Sequence, residues 1–494
     1  MRTVQRLADS GSDAGGAQRA GLRVLRVLLI STYDLGHQPF GLASPAAWLR
    51  AAGAAVTCLD LAVQRLAPEA VRQADMIALY LPMHTATRLA ARLVPQLRTL
   101  NSDAYLCAYG LYAPVNAAFL HELGMRAVIG GEFEEPLLTV VNALGAGLDP
   151  GSVLGDGGEV VSMSRQAFRV PDRSGLPLLN NYAFLTLPDG TRRTVGYTEA
   201  TRGCKHLCRH CPVVPVYGGR FRVVQRDIVL ADIAGQVEQG AEHITFGDPD
   251  FFNGPAHALV VVKSLHQRFP QLTYDVTIKI EHLIKHRELL PVLRDTGCVL
   301  VTSAVESVDE RILGFLDKRH TGEEFVAVVE MFRQLGLHLN PTFVAFTPWI
   351  SLAGYLEFLG EIYRLGLVDH VAPVQYAIRL LIPEGSRLLE LAPIGALVQP
   401  FDHEALVYPW VHPDPEVDQL QRDLFRLVQR RLAEGRSRAA IFTEIWRVAA
   451  ERCGCPERAG EVVLPDRPSA VPQLSEPWYC CAEPTELQLT PSAV

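Results

Sequence analysis

The sequence lacks the features that are typical of membrane and nucleic-acid-binding proteins. None of its apolar runs approaches the roughly 18 residues that a membrane-spanning helix needs. No basic run is longer than two residues and the net charge is −8, which argues against a nucleic-acid surface. Residues 1–22 lack the apolar core of a signal peptide and are predicted to be disordered. We therefore expect a cytoplasmic protein with neither a membrane nor a nucleic acid among its partners.

Cysteine is also scarce, with ten residues in a chain of 494, which excludes a disulfide scaffold. Without an export signal these cysteines are expected to be reduced thiols. Hydrophobic residues make up 48% of the chain, which is enough to form buried cores. At about 150 residues per domain, the length predicts roughly two to four domains.

Residues 23–145 are predicted to form one domain in which strands and helices alternate. Strands are predicted at 25–31, 56–60, 76–80, 104–109 and 127–129, and helices at 43–52, 86–97 and 113–123. This alternation predicts a flavodoxin-like parallel sheet with helices on both faces. Such sheets bind ligands beyond the carboxyl ends of their strands. Residues 146–190, rich in glycine, proline and aspartate, are predicted to be a linker.

A second alternation of strands and helices follows over residues 191–398. Strands are predicted at 194–201, 243–246, 273–280, 298–304, 341–346 and 374–381. Six strand–helix units predict a partial (β/α)6 barrel, in which the loops after the strands carry the chemistry. Residues 399–494 are predicted to form a C-terminal region that is helical and then irregular. The predicted fold class is therefore α/β, with a parallel sheet followed by a partial barrel and a C-terminal tail.

The loop after the first barrel strand holds Cys204, Cys208 and Cys211 at the spacing C-x3-C-x2-C. Three thiolates on one loop can bind three irons of a cubane iron–sulfur cluster, which normally takes four, so the fourth iron is left open. The same cysteines with either His206 or His210 would also suit a structural zinc ion. A zinc knuckle would not predict a position after the first strand of a barrel, which favours the cluster.

This spacing and its place in a barrel resemble the radical S-adenosylmethionine (SAM) superfamily. The resemblance implies a [4Fe–4S] cluster whose open iron binds SAM. It also implies a reaction that begins with reductive cleavage of SAM to methionine and a 5′-deoxyadenosyl radical. The expected partners are a small-molecule substrate and an electron donor such as flavodoxin or ferredoxin.

The N-terminal domain resembles the cobalamin-binding domain that precedes many barrels of this superfamily. Cobalamin domains that supply a histidine to cobalt carry D-x-H-x-x-G. Here two residues separate Asp34 from His37, and three separate His37 from Gly41, so a histidine ligand from this loop is not expected. Two alternatives stay open: the domain binds cobalamin without that ligand, or it has lost its ligand and only packs on the barrel.

The resemblance to radical SAM proteins also implies which residues bind SAM. An aromatic residue just before the third cysteine packs near the adenine, and His210 has that position. Polar groups after the second strand often hold the SAM amino group, which is the position of Asp248 and Asp250. Glu306 ends the fourth strand, where relatives bind the ribose or carboxylate region, and Arg379 is a candidate for the SAM carboxylate. For the three acidic residues, helix capping is the alternative.

The chain carries the sequence C-C-A-E-P at residues 480–484. This resembles the ending that names the CUAEP/CCAEP-tail family of radical SAM proteins, some of which have selenocysteine at the position of Cys481. The resemblance implies that Cys481 is a nucleophile or redox thiol, with Cys480 as its resolving partner. Two alternatives stay open: an inert terminus, or a second metal site formed with Cys453 and Cys455.

The sequence therefore predicts a radical SAM enzyme that modifies a small molecule. Cobalamin and the tail thiols are predicted to take part in the reaction. The alternative is a cobalamin- or metal-responsive binding protein on the same fold that does not catalyse a reaction. Formation of 5′-deoxyadenosine from SAM distinguishes the two.

Overall fold

The structure is a computed structural model that describes residues 24–475, 483–484 and 488–489. Two of the predicted site residues, Cys480 and Cys481, lie outside the described residues. Within the described part of the chain, no helix combines the length and the apolar character needed to cross a membrane. The described chain forms two sheets in succession, the first parallel and the second mostly parallel, with most of its helices packed against them.

The N-terminal sheet has six strands and is parallel throughout. The strands are β1 Arg26–Ser31, β2 Ala55–Asp60, β3 Met76–Tyr80, β4 Tyr105–Tyr109, β5 Ala127–Gly131 and β6 Glu159–Ser162. Their order in the sheet is β2-β1-β3-β4-β5-β6. The three central strands read as nearly continuous apolar runs and are buried, as expected for a parallel sheet covered on both faces.

Helices connect these strands and cover the two faces of the sheet. They are α1 Phe40–Ala51, α2 Pro68–Gln73, α3 His84–Leu100, α4 Ala117–Glu122, α5 Glu134–Gly145 and α6 Gly151–Leu154. One apolar core lies on each face of the sheet. Both α6 and β6 fall in the segment that the sequence predicts as a linker. β6 escaped prediction because it has four residues at the sheet edge, none of them fully buried.

The second sheet has seven strands, and its parallel part forms the half barrel. Its strands are β7 Phe184–Thr186, β8 Arg192–Thr198, β11 His243–Phe246, β12 Thr273–Thr277, β13 Cys298–Glu306, β14 His338–Phe343 and β15 Gln473–Leu474, while β9 Thr201–Gly203 and β10 Phe221–Val223 form a separate hairpin. The order in the large sheet is β14-β13-β12-β11-β8-β7-β15. The pairings from β8 to β14 are parallel, which agrees with the predicted α/β barrel.

Helices surround the half barrel and continue into the C-terminal region. They are α7 Val213–Tyr217, α8 Arg226–Glu238, α9 Pro255–Arg268, α10 Ile280–Lys285, α11 Leu290–Asp295, α12 Glu310–Leu316, α13 Gly322–Leu335, α14 Leu352–Arg364, α15 Ala392–Gly395, α16 Pro415–Ala433 and α17 Arg438–Arg452. The side chain of Asp414 caps α16, and Pro415 is the first residue of this helix. α16 and α17 pack on each other, and α17 also packs on α14.

The sixth barrel strand, predicted at 374–381, is not a regular strand. Pro373–Tyr376 forms a 3-10 helix. One parallel β-bridge, between Phe346 and Arg379, pairs the segment with the residues that follow β14. The apolar run suggested a strand because a short buried run has the same composition in either conformation. The barrel keeps the predicted order with this segment in the sixth position.

Candidate active site

A cavity of about 300 Å³ lies between the carboxyl ends of the two sheets. On the N-terminal side its walls come from the ends of β1, β3, β4 and β5, and include Asp34, Leu35, His37, Tyr80, Pro82, Met83, Leu111, Tyr112, Gly131 and Phe133. On the barrel side they include Cys204, His206, Cys208, His210, Cys211, Asp250, Lys279, Glu306 and Lys318. α/β folds bind ligands at the carboxyl edges of their sheets. Here the carboxyl edges of both sheets face the same cavity.

The cysteine loop leaves the barrel at Gly203, the last residue of β9. Gly203 has φ of +75°, and a Cβ at this position would lie 2.3 Å from the Tyr217 ring and 2.6 Å from the Arg220 carbonyl oxygen. Both the left-handed backbone and the close contacts exclude a larger residue. Gly203 therefore fixes the direction in which the chain enters the loop.

Hydrogen bonds to its backbone hold the cysteine loop against the barrel. The Arg387 guanidinium donates to the Leu207 carbonyl oxygen at 3.2 Å, and the Asn253 side-chain amide donates to the Gly203 carbonyl oxygen at 3.2 Å. The Arg209 peptide N–H donates to the last carbonyl oxygen of α12 at 3.0 Å. Because these contacts are made by the protein alone, the loop has its shape before any ligand binds.

Cys204, Cys208 and Cys211 all line the cavity, and none of the three forms a disulfide bond. Burial, followed by the charge of Asp250, raises the pKa of the Cys204 thiol to about 12. Metal binding at this loop must therefore displace a proton, because the thiolate is the ligand. Three soft donors on one anchored loop suit a cubane cluster with one open iron.

The structure does not favour the zinc alternative for these cysteines. A tetrahedral zinc site needs four ligand atoms that converge on one ion. Within residues 24–475, neither His206 nor His210 forms a group with the cysteines in which all ligand atoms lie within 4.8 Å of one another. Each histidine instead faces a carboxylate, His206 that of Asp250 and His210 that of Glu306.

Glu306 lies on the cavity wall at the carboxyl end of β13. Its Oε1 accepts hydrogen bonds from His210 Nε2 at 3.2 Å and from Lys318 Nζ at 3.5 Å. Burial acts to raise the pKa of Glu306, but the charge of Lys318 and the His210 hydrogen bond outweigh it and lower the pKa to about 2. Glu306 also has φ of +70°, a conformation that costs free energy in a non-glycine residue and concentrates at functional sites. It is a buried, ionised carboxylate that borders the cavity.

Asp248 lies behind the cavity wall and does not line the cavity. Its carboxylate accepts hydrogen bonds from the Ala200 peptide N–H at 2.9 Å and from the Thr201 hydroxyl at 2.5 Å. Burial raises the pKa of Asp248 to about 7. Asp248 thus ties the end of β11 to the segment that leads into the cysteine loop, and this contact occupies its side chain.

Asp250 lies on the cavity wall, two residues further along. Its Oδ1 accepts a hydrogen bond from the Phe252 peptide N–H at 3.0 Å and so caps a 3-10 helix, Phe251–Asn253. This is the capping role that the sequence left open as an alternative. Its other oxygen, Oδ2, faces His206 and His282.

Arg379 lies outside the cavity walls. Its guanidinium donates to the Asp418 carboxylate at 2.6 Å and to the Trp410 carbonyl oxygen at 2.8 Å, and it stacks on the Trp410 ring at 3.8 Å. Its carbonyl oxygen accepts a hydrogen bond from the Glu483 peptide N–H at 3.1 Å. These contacts place Arg379 next to the tail, and they do not suit the predicted role as a ligand of the SAM carboxylate.

A buried ion network, which the sequence analysis missed, joins the cysteine loop to the N-terminal sheet. Arg202 precedes Gly203, and its guanidinium contacts Glu134 and Glu199, each at 2.7 Å, and Glu132 at 3.4 Å. Burial raises the pKa of Glu132 to about 7, whereas Arg202 holds the pKa of Glu134 below its usual range against the effect of burial. A pair of acidic residues directly after β5 was the one sign of this network in the sequence.

Comparison with known proteins identifies the barrel. Residues 198–348 match the family model of the radical SAM superfamily, and this segment includes the cysteine loop. The match agrees with the predicted class of the barrel, for which a [4Fe–4S] cluster and SAM are the predicted cofactors. It covers neither the N-terminal domain nor the tail, so it does not test the resemblance to the CUAEP/CCAEP-tail family.

Two curated relatives match part of the chain. An uncharacterized methyltransferase of Pyrococcus horikoshii is 22% identical over 50% of this chain and 55% of its own length. The hopanoid C-3 methylase of Methylococcus capsulatus is 24% identical over 32% of this chain and 30% of its own length. The chain thus spans about half the length of the Pyrococcus methyltransferase and 30% of the length of the hopanoid methylase.

Two solved structures share the fold across both sheets. The radical SAM methyltransferase TsrM from Kitasatospora setae, with tryptophan and a SAM analogue bound, is 17% identical with a TM-score of 0.62, and the match covers 76% of this chain and 77% of TsrM. The cobalamin-dependent radical SAM enzyme OxsB, with aqua-cobalamin and SAM bound, is 14% identical with a TM-score of 0.67, and the match covers 83% of this chain and 67% of OxsB. At this identity the likeness confirms the predicted architecture, an N-terminal parallel sheet followed by a half barrel.

Proposed function

We propose that this chain is a cobalamin-dependent radical SAM enzyme that transfers a methyl group to a small molecule. The observation that carries the proposal is the single cavity, because it brings the cluster cysteines and the ligand-binding edge of the N-terminal sheet together. The cluster with SAM, when bound, supplies radical chemistry on the barrel side, and cobalamin supplies a methyl group on the other. A substrate held between the two walls is then within reach of both.

SAM binds, in this proposal, between the cysteine loop and the end of β13. Glu306 is ionised and accepts hydrogen bonds, so it suits the two hydroxyls of a ribose. His210 presents a buried planar ring beside Glu306, and its Nδ1 has no hydrogen-bond partner among the described residues. Gly247 and Pro249 bring backbone to the same wall, where a carbonyl oxygen can hold the SAM amino group.

The wall made by the N-terminal sheet suits the rim and face of a corrin ring. Most of its side chains are apolar or aromatic, among them Tyr80, Met83 and Phe133. Two polar groups interrupt this wall. His37 Nδ1 is buried and has no hydrogen-bond partner within the described part of the chain. Burial raises the pKa of Asp34 well above its usual range, so that a neutral carboxyl group is favoured there. Both can exchange hydrogen bonds with the amide side chains of a corrin.

His37 is proposed as such a contact and not as a cobalt ligand. Its ring packs on Tyr197 of β8, with 4.9 Å between the ring centroids, so it is part of the contact between the two domains. Burial lowers its pKa to about 4. The departure from D-x-H-x-x-G agrees with this assignment. The names of TsrM, OxsB and the two curated relatives, which describe methyl transfer or cobalamin dependence, support the cobalamin and methyl-transfer parts of the proposal.

Anaerobic expression with hydroxocobalamin, followed by iron, sulfide and cobalt analysis, tests this function. We expect about four irons, about four sulfides and about one cobalt per chain. With a strong reductant and SAM labelled in its methyl group, 5′-deoxyadenosine and S-adenosylhomocysteine should form. Iron without cobalt would favour radical chemistry without cobalamin. Full loading without either SAM product would favour the binding-protein alternative.

We further propose that the tail takes part in turnover through Cys481. The described tail residues bridge the two domains beside the cavity. Glu483 pairs with Arg379 of the barrel segment, at 3.9 Å between Oε2 and Nε, and Gln488 donates to the Tyr33 hydroxyl at 3.1 Å, next to the cavity residue Asp34. Cys481, which lies outside the described residues, is two positions before Glu483 in the sequence.

Replacing Cys481 by serine should separate SAM cleavage from complete turnover. We expect 5′-deoxyadenosine formation without substrate to stay within about twofold of the wild type, because the cluster loop is intact. Product formation should fall by more than about tenfold if the thiol is the nucleophile or redox centre. The matched control is Cys455→Ser, which alters a half-buried thiol outside the tail. Normal turnover by the Cys481 variant would support the inert-terminus alternative, and loss of a bound metal in the Cys455 variant would support a second metal site.

A further inference from the structure

Three buried side chains converge beside the cysteine loop in a cluster that the proposed function does not use. We call it the His–Asp–His cluster: His206 from the cysteine loop, Asp250 from the loop after β11, and His282 from α10, which follows β12. One ligand atom from each lies within 4.8 Å of the other two. All three residues come from the carboxyl edge of the barrel, where barrel enzymes place their reactive groups.

The contacts within the cluster are close contacts between a carboxylate and two imidazoles, with angles that depart from ideal hydrogen-bond geometry. Asp250 Oδ2 lies 2.7 Å from His282 Nδ1 and 3.3 Å from His206 Nε2. All three atoms are buried, and none has a partner in hydrogen-bond geometry among the described residues. A carboxylate oxygen and two ring nitrogens left unsatisfied together would be costly, because buried polar atoms need partners. A cation at their meeting point would satisfy all three.

The distances suit a metal ion. Two ligand atoms that each lie about 2.1 Å from one ion are about 3.0 to 3.4 Å apart, depending on the coordination angle. The two contacts of Asp250 Oδ2, at 2.7 Å to His282 Nδ1 and 3.3 Å to His206 Nε2, lie near this range. Two imidazoles and one carboxylate form a ligand set typical of divalent first-row metals, with further positions left open.

The surroundings of His206 agree with a ligand role. A histidine that binds a metal through one nitrogen usually donates its other N–H to a carboxylate. The other ring nitrogen of His206, Nδ1, lies 3.5 Å from Glu281 Oε2. Lys279 Nζ also lies 3.4 Å from this nitrogen, but its charge is paired with Glu281 at 3.2 Å. With Asp250, the two carboxylates leave a net negative charge around the cluster.

We propose that the His–Asp–His cluster is a mononuclear site for a divalent first-row metal ion, separate from the iron–sulfur cluster. His206 and Asp250 also line the cavity, so the open positions of this ion border the space that holds the substrate. An oxygen of the substrate, such as a carboxylate or hydroxyl, is the class of ligand that these positions would take.

Zinc binding to protein without the cluster cysteines tests the site. In the Cys204→Ala/Cys208→Ala/Cys211→Ala protein we expect about one Zn²⁺ per chain by mass spectrometry after gel filtration. Co²⁺ as a probe should give visible d–d bands without the charge-transfer bands of thiolate ligands. Addition of His282→Gln should weaken Zn²⁺ binding by more than about tenfold, the least that loss of a ligand is expected to cost. His286→Gln is the matched control, because its ring lies 5.8 Å from that of His282 outside the cluster.

Absence of Zn²⁺ from the triple-alanine protein, or equal losses in the His282 and His286 variants, would overturn the proposal. Circular dichroism establishes whether each variant folds. X-ray absorption at the zinc edge of the triple-alanine parent needs no histidine variant. Two imidazoles in that spectrum would support the site, and a shell of oxygen alone would refute it. In the intact protein with its cluster rebuilt, one Zn²⁺ should remain beyond the irons of the cluster.

Discussion

Alanine at any one of Cys204, Cys208 and Cys211 is expected to abolish the [4Fe–4S] cluster and with it all cleavage of SAM. The three thiols belong to one loop whose shape is fixed by contacts with the rest of the barrel. No other cysteine lines the cavity in the described part of the chain, so none is placed to replace a lost ligand. Because SAM cleavage needs the open iron of the complete cluster, a partly bound cluster should be inactive.

The measurement is iron and sulfide content together with 5′-deoxyadenosine formation under reducing conditions. Each variant should lose most of its loop-bound iron and yield no 5′-deoxyadenosine above the background without enzyme. Cys107→Ala is a suitable control, because Cys107 is buried in β4, away from the cavity. It should keep both iron and activity. A triple variant that retained full iron and activity would refute the assignment of the cluster to this loop.

The parts of the fold that follow from local pattern could be predicted from the sequence. β3 and β11 are short, fully buried strands followed by turn residues, and both have the bounds predicted for them. The edge strand β6 and the sixth barrel position could not be predicted with the same success. Their structure depends on pairing with one neighbour and on contacts such as that of Arg379 with Asp418, which local sequence does not encode.

Some residues of the candidate site could likewise be predicted from the sequence, and others could not. Cys204, Cys208 and Cys211 share one loop, so their spacing could be read directly from the sequence. The positions of His210 and Glu306 follow from the ends of elements, and the structure brings the two side chains into contact. The His–Asp–His cluster and the Arg202 network combine residues that lie as far as 76 and 70 positions apart, respectively, and only the packed barrel shows that they meet.

Arg202→Met should cause the largest loss of stability, because it leaves Glu134 and Glu199 buried without a cation. Removal of one partner from a buried ion pair typically costs about 3–5 kcal/mol. Arg202 and Glu134 are both almost fully buried, at 5% and 0% exposure, so solvent would screen little of the remaining charge. Arg226→Met is the control: Arg226 pairs with Asp227 on the surface, and its loss should change the free energy of unfolding by less than about 1 kcal/mol.

The loss in the free energy of unfolding of the Arg202→Met variant should increase as the pH rises. In the wild type, Arg202 lowers the pKa of Glu134, so this carboxylate stabilises the fold above its unfolded pKa, near 4.5, and that stability is lost as the pH falls. In the variant, burial raises the folded pKa values of Glu134 and Glu199 above their unfolded values, so ionisation destabilises the fold as the pH rises. The difference in the free energy of unfolding between the wild type and the variant, measured by urea denaturation, should therefore be larger at pH 8 than at pH 5.

Arg202→Lys should recover part of the lost stability, since it restores the charge without the forked geometry of the guanidinium. A deficit independent of pH would show that lost packing, and not the unpaired carboxylates, destabilises the variant.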